Sequence, residues 1–212
     1  VFAYSGLTSV NIPALQKTRV GGVDYYAESM FSNCVYLTSV TFDNELTWLG
    51  KNMFNACTSL ENIVLPAKLV SVDLTSDSAS YSFGTGPFNG SGLKSVDLNG
   101  VTELPAKIFR GASALETVTG LESVTEVGMS AFYGTSLKEV NLSSVNALPD
   151  GVFYDCVSLE KVILNDVMSS IGAHVFRGCT SLATIDVYSL VSQGSTNNPV
   201  GVATLPSALA SV

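Results

Sequence analysis

Apolar residues recur along this chain in blocks of fixed internal spacing, not in one continuous helical or strand pattern. Phenylalanines stand at 2, 31, 54, 88, 109, 132, 153 and 176, and each is followed five or six residues later by a leucine, namely Leu7, Leu37, Leu60, Leu93, Leu115, Leu137, Leu159 or Leu182. Three residues beyond each leucine stands Val10, Val40, Ile63, Val96, Val118, Val140, Val162 or Ile185. Two further on comes Ile12, Phe42, Leu65, Leu98, Leu142, Leu164 or Val187, with Gly120 as the exception. Five residues before the phenylalanine sits another apolar residue, from Tyr26 and Leu49 to Leu148 and Ile171, usually followed by Gly or Pro. The V-x-L portion predicts a short strand, because alternate strand residues face opposite ways and so send both apolar side chains inward.

Successive phenylalanines are separated by 29, 23, 34, 21, 23, 21 and 23 residues. From Phe88 onward the two lengths alternate, with Pro105 and Pro149 in one kind of unit and Gly128 and Gly172 in the other, so 88–131 and 132–175 read as copies of a two-unit block. A period of 20 to 29 residues carrying L-x-x-V-x-L marks leucine-rich repeats, in which each coil adds one strand and the coils stack. One coil buries too little to fold alone, whereas stacked coils bury ladders of Phe, Leu and Val and pair their strands in parallel about 4.8 Å apart.

The expected fold is therefore an α/β-type repeat solenoid. It is a right-handed coil with a parallel sheet on its concave face and convex segments that are irregular or short helices. About eight coils fill 1–190, with an insertion at 73–86 and a cap or linker at 191–212. Asp73-Leu-Thr-Ser-Asp-Ser-Ala-Ser-Tyr-Ser-Phe-Gly-Thr-Gly-Pro87 is rich in Ser, Gly and Asp. It reads either as a ligand-contacting loop anchored by Tyr81 or as a tolerated surface excursion. Residues 13–25 form a second longer connection. The chain starts at Val1, inside a repeat and without a signal peptide, as expected of a mature or excised fragment.

Strings such as Ile171-Gly-Ala-His-Val-Phe176-Arg-Gly-Cys179-Thr-Ser-Leu182 and Leu49-Gly-Lys-Asn-Met-Phe54-Asn-Ala-Cys57-Thr-Ser-Leu60 are similar to the BspA-type leucine-rich repeat family, over roughly residues 2 to 190. That resemblance implies a surface or secreted protein of gut or oral anaerobes, or of mucosal protists, and adhesion as a role.

Composition narrows the chemistry. With 46% apolar and 13% charged residues there is ample core, and a net charge of −8 disfavours nucleic acid and anionic membranes. No stretch reaches the roughly 18 apolar residues of a membrane span. Cys34, Cys57, Cys156 and Cys179 each lie three residues after the repeat phenylalanine, where Ser91, Ala112 and Thr135 stand in other coils. This column demands a small buried side chain and favours free thiols over disulfides, which in-register side chains suit poorly. No cofactor or metal is expected: there is no C-x-x-C, and His174 is the only histidine. Its column, otherwise Ser29, Asn52, Gly86, Lys107, Ser130 and Gly151, reads as exposed by its variety. A catalytic role would need it to activate a serine or Cys179, and Cys179 points to the core.

Two outward columns remain. Glu61, Lys94, Glu116, Lys138 and Glu160 alternate in sign and read first as intercoil pairing. Asn11, Thr41, Val64, Asp97, Thr119, Asn141, Ile163 and Asp186 form the outward strand column, with Tyr188 close by. Its candidate binding residues are Asp97, Thr119, Asn141, Ile163, Asp186 and Tyr188, together with Tyr81 of the insertion. Tyr133 and Tyr154 belong to the convex side and read as packing. The expected function is a non-enzymatic recognition or adhesion module for an extracellular protein or glycan, monomeric with end-to-end dimers conceivable. A structural spacer within a larger surface protein is the alternative.

Overall fold

The computed structural model describes residues 2–14, 18–20, 23–25, 28–72 and 86–188. Its strands in chain order are β1 (Ser9–Ile12), β2 (Thr18–Val20), β3 (Val23–Tyr25), β4 (Ser39–Phe42), β5 (Trp48–Leu49), β6 (Asn62–Val64), β7 (Ser71–Val72) and β8 (Ser95–Asp97). They continue as β9 (Glu103–Leu104), β10 (Thr117–Thr119), β11 (Glu126–Val127), β12 (Glu139–Leu142), β13 (Ala147–Leu148), β14 (Lys161–Asn165), β15 (Ser170–Ile171) and β16 (Thr184–Tyr188). The L-x-x-V-x-L motif supplies β1, β4, β6, β8, β10, β12, β14 and β16, which pair in parallel and in register as β1–β4, β6–β8–β10 and β12–β14–β16. The hydrogen-bonded ladder is thus interrupted between β4 and β6 and between β10 and β12.

Two further intercoil ladders complete each coil. The apolar residue five positions before the phenylalanine lies in a two-residue strand in β5, β9, β11, β13 and β15, and these strands pair as β9–β11 and β13–β15. β5 pairs with β7, whose Val72 stands sixteen residues before Phe88; Phe83 lies outside the described residues. The phenylalanine segment, expected to be irregular or a short helix, is not helical but a series of overlapping β-turns. The only helix among the described residues is a 3-10 turn at Leu121–Ser123. The physical reason is a pair of left-handed residues around each ring. The second residue before it has φ between 53° and 62° in Ser29, Asn52, Lys107, Ser130, Gly151 and His174, and the second after it is left-handed in Asn33, Ala56, Gly90, Gly111, Gly134, Asp155 and Gly178. Such residues cannot sit inside a right-handed helix. Amide groups of the turn therefore point along the stack. Phe31, Phe109, Phe132 and Phe153 donate their N–H groups to Met53, Ala131, Val152 and Val175 of the following coil at 2.9 to 3.0 Å.

The His174 column is accordingly varied for a different reason than exposure. Lys107 and Ser130 in it are buried, and what most members share is positive φ.

Between the ladders runs one core. The eight repeat phenylalanines stack ring on ring from Phe2 to Phe176, with centroids 5.5 to 6.2 Å apart. Leu37, Leu60, Leu93, Leu115, Leu137 and Leu159 line up beside them, each fully or almost fully buried. Gly120, the exception in the motif, has φ 93° and turns the chain into the 3-10 helix, whose buried Leu121 brings an apolar side chain into the core. All four cysteines are free. Their thiols donate to the carbonyl oxygen of the preceding coil's phenylalanine at 3.0 to 3.1 Å: Cys34 to Phe2, Cys57 to Phe31, Cys156 to Phe132 and Cys179 to Phe153. Ser91 and Thr135, in the same column, instead bond the carbonyl of their own coil's phenylalanine. No helix among the described residues is long and apolar enough to cross a membrane.

Candidate functional site

The parallel register brings the outward strand column together as the alternation requires. Asn11 lies opposite Thr41, Val64 opposite Asp97, Asp97 opposite Thr119, and Asn141, Ile163 and Asp186 follow one another on β12, β14 and β16. Because of the two interruptions it is three short runs, not one strip. Tyr188 ends β16 in register with Asn165. Tyr81 lies outside the described residues.

Much of this column is already engaged within the protein. Asp97 Oδ1 accepts the Asn99 amide at 2.8 Å and Asn141 Oδ1 the Ser143 amide at 3.1 Å, so both side chains close the turn that leaves their strand. Asp186 pairs with Lys161 at 2.8 Å, and Thr41 donates to Asn11 Oδ1 at 3.1 Å. Ile163 is half-buried, while Thr119 stays exposed. In the charged column Lys94 meets Glu61 at 2.8 Å. The hydrogen bond to Glu61 holds the Lys94 ammonium above the usual lysine pKa, and Asp186 does the same for Lys161.

A shallow groove of about 370 Å³ lies across β4, β6, β8 and β10, spanning the break between β4 and β6. Ser39, Asn62, Val64, Ser95, Asp97 and Thr119 line it. Val64 is 53% exposed, an apolar side chain with a polar surround. Ser39, Asn62 and Ser95 belong to the position two residues after the repeat leucine, which sequence reasoning passed over. The signal was available, since residues i and i+2 of a strand share a face.

Among the described residues no three or more His, Cys, Asp or Glu side chains converge to hold a metal ion. Burial pushes the Cys57 and Cys179 thiols up to about 12 and raises Cys156 as well, the reverse of an activated nucleophile. His174 stands on the turn face against the Tyr154 ring at 6.3 Å.

A family model described as a BspA type leucine rich repeat region matches residues 1–76 and 81–197 in six copies. The chain belongs to the BspA-type leucine-rich repeat family. A solved leucine-rich repeat protein from Eubacterium ventriosum is 19% identical with a TM-score of 0.54, over 87% of this chain and 50% of that one. The leucine-rich repeat protein of T. pallidum is 22% identical with a TM-score of 0.47, over 86% and 68%. A leucine rich cell surface protein from Faecalibacterium prausnitzii is 22% identical with a TM-score of 0.42, over 85% and 60%. The Eubacterium likeness supports the fold alone. This chain spans 60% of the length of the first two solved proteins it matches. A search of curated proteins finds no match.

Proposed function

We propose that this chain is a non-enzymatic recognition module of a cell-surface or secreted protein, and that its outward long-strand face binds a protein or glycan of a host or neighbouring cell. The observation that carries the reading is the groove over β4 to β10. There, exposed Val64 sits among Ser39, Asn62, Ser95 and Thr119. The Ser95 hydroxyl donates to Asn62 Oδ1 at 2.6 Å and that of Thr119 to the Val96 carbonyl at 3.4 Å, and the remaining capacity of these groups can meet a ligand. An interrupted strand ladder widens the sheet at that point. Family membership supports the surface setting, and stacked repeats offer extended faces for binding.

The test is a binding screen of the 212-residue chain against immobilised matrix proteins, mucins and glycans, repeated with Val64→Glu and Thr119→Ala. Both positions are exposed and should leave the circular dichroism unchanged. Saturable binding lost in Val64→Glu supports the reading. Undiminished binding by both variants removes the groove from it.

A spacer role is the second reading. It is favoured by the internal engagement of Asn141 and Asp186 on the distal strands β12 and β16. A folded chain that binds nothing in the screen would decide for it.

A further inference from the structure

The position one residue after each repeat phenylalanine changes chemistry half-way along the stack. In early coils it is Ser32, Asn55 and Asn89, which satisfy one another. The Asn55 amide donates to Ser32 Oγ at 3.3 Å and the Asn89 amide to Asn55 Oδ1 at 2.9 Å. In later coils it is Arg110, Tyr133, Tyr154 and Arg177. The Arg110 guanidinium lies 3.8 Å above the Tyr133 ring, Tyr133 and Tyr154 stack 4.8 Å apart with planes 5° from parallel, and the Arg177 guanidinium sits 5.5 Å from the Tyr154 ring. The amide ladder shows that stacking needs no charge at this position. The two arginines therefore bring cations that the fold does not require.

Arg110 sharpens the point. It is 8% exposed, and its Nη1 is a buried side-chain atom with no hydrogen-bond partner. A desolvated cationic donor left unmatched is costly, and an anion docked on the part of the same guanidinium that stays open offsets some of that cost through charge. The chain as a whole carries −8, yet the turns around Phe109 and Phe176 carry Lys107 with Arg110 and His174 with Arg177, of which Arg177 and His174 are exposed. Two carboxylates on the same turns keep their charge and temper this field: Asp155 accepts the Tyr133 hydroxyl at 3.3 Å, and Asp150 accepts the Ala173 amide at 2.7 Å.

We propose that this flank binds a sulfated or carboxylated polysaccharide, its anionic groups meeting the exposed guanidinium of Arg177 and what Arg110 leaves open beside its buried Nη1, and its hydroxyls crossing the tyrosine edges. The tyrosine faces are occupied by each other and by the arginines, so edges and hydroxyls are what a ligand meets. Arg110 and Arg177 stand three coils apart, on the order of 14 Å at the intercoil spacing. That straight, periodic array suits an extended polymer with repeating charges. It suits an added peptide strand less, because the coils already hydrogen-bond to their neighbours and leave no free edge along the flank. Guanidinium forks also match sulfate and carboxylate geometry bidentately. This surface is separate from the long-strand groove and does not rest on it.

Isothermal titration of the full chain with a size-defined heparin octasaccharide at two salt concentrations tests the proposal. Saturable binding is expected, weaker at high salt, and at least tenfold weaker for Arg110→Gln/Arg177→Gln. Lys68→Gln, whose ammonium pairs instead with Glu45 at 2.7 Å, should bind as the parent does. Should Arg110→Gln fail to fold, Arg177→Gln alone reads the same surface from an exposed side chain. No binding at low salt, or equal binding by the arginine variants, overturns the proposal. Equal competition by polyglutamate overturns it in favour of an acidic protein segment.

Discussion

The rings of Phe132 and Phe153 lie 5.5 Å apart with their planes 4° from parallel, although 21 residues separate them in the chain. Phe109 stacks on the other face of Phe132 at 5.5 Å, so each interior ring is held by one above and one below. Truncating such a ring opens a cavity in a core that depends on contact between adjacent coils. Phe132→Ala should therefore lower stability by about 3–5 kcal/mol. Phe2→Ala should cost clearly less, since that ring is 47% exposed and stacks on Phe31 alone among the repeat phenylalanines. Urea unfolding of the two variants checks this, and equal midpoints would contradict the stacked core.

Glycines at two positions of the turn should respond to alanine for different reasons. A Cβ on Gly128 would overlap the backbone of Pro105 and Ala106 in the preceding coil, so Gly128→Ala must push two coils apart. A loss of about 1–3 kcal/mol is expected from such overpacking. Gly134 has open space around it but φ of 67°, so Gly134→Ala incurs only left-handed backbone strain, about 1 kcal/mol. Paired thermal melts separate the cases.

The long strands, the phenylalanine column and the small-residue cysteine column were legible in the sequence because each repeats with one side-chain type at one spacing. The turns were not. Ser29, Asn52, Lys107, Ser130, Gly151 and His174 share a backbone angle and no side-chain property, so their variety suggested exposure where the cause is positive φ. The two-residue strands β5 to β15 were too short to show alternation. At the site, alternation located Asp97, Thr119 and Asn141, but only the structure shows the Asx turns that engage Asp97 and Asn141 and the break that opens the groove beside β4. The Arg110 to Arg177 stack was hidden because Arg and Tyr look unrelated until the coils are superposed.

Asn55 bridges two coils, donating to Ser32 and accepting from Asn89. Asn55→Ala removes both bonds and strands the Asn89 amide in a half-buried site. About 1–2 kcal/mol of stability should be lost. Asn55→Ala combined with Asn89→Ala should cost less than the sum of the single changes, because the shared bond disappears only once. A double-mutant cycle by chemical denaturation measures this, and strict additivity would show that the amides do not interact in solution.

The buried thiols give the fold a defined response to alkali. Cys57 and Cys179 are pushed up to about 12, first by desolvation, whereas an unfolded cysteine titrates near about 8.5. The folded state thus keeps protons that the unfolded chain releases, so the stability these groups contribute is complete below the unfolded pKa and is lost as pH climbs toward the folded one. The denaturation midpoint should fall between about pH 9 and 12. Alanine already fills this column at Ala112, so Cys57→Ala is a tolerated replacement that removes one titrating thiol and should flatten the decline. The same burial slows thiol modification. An aromatic disulfide reagent at pH 8 should react with Cys34, Cys57 and Cys156 only after denaturation and with half-buried Cys179 ahead of them, and fast labelling of Cys57 in the native protein would contradict its place in the core.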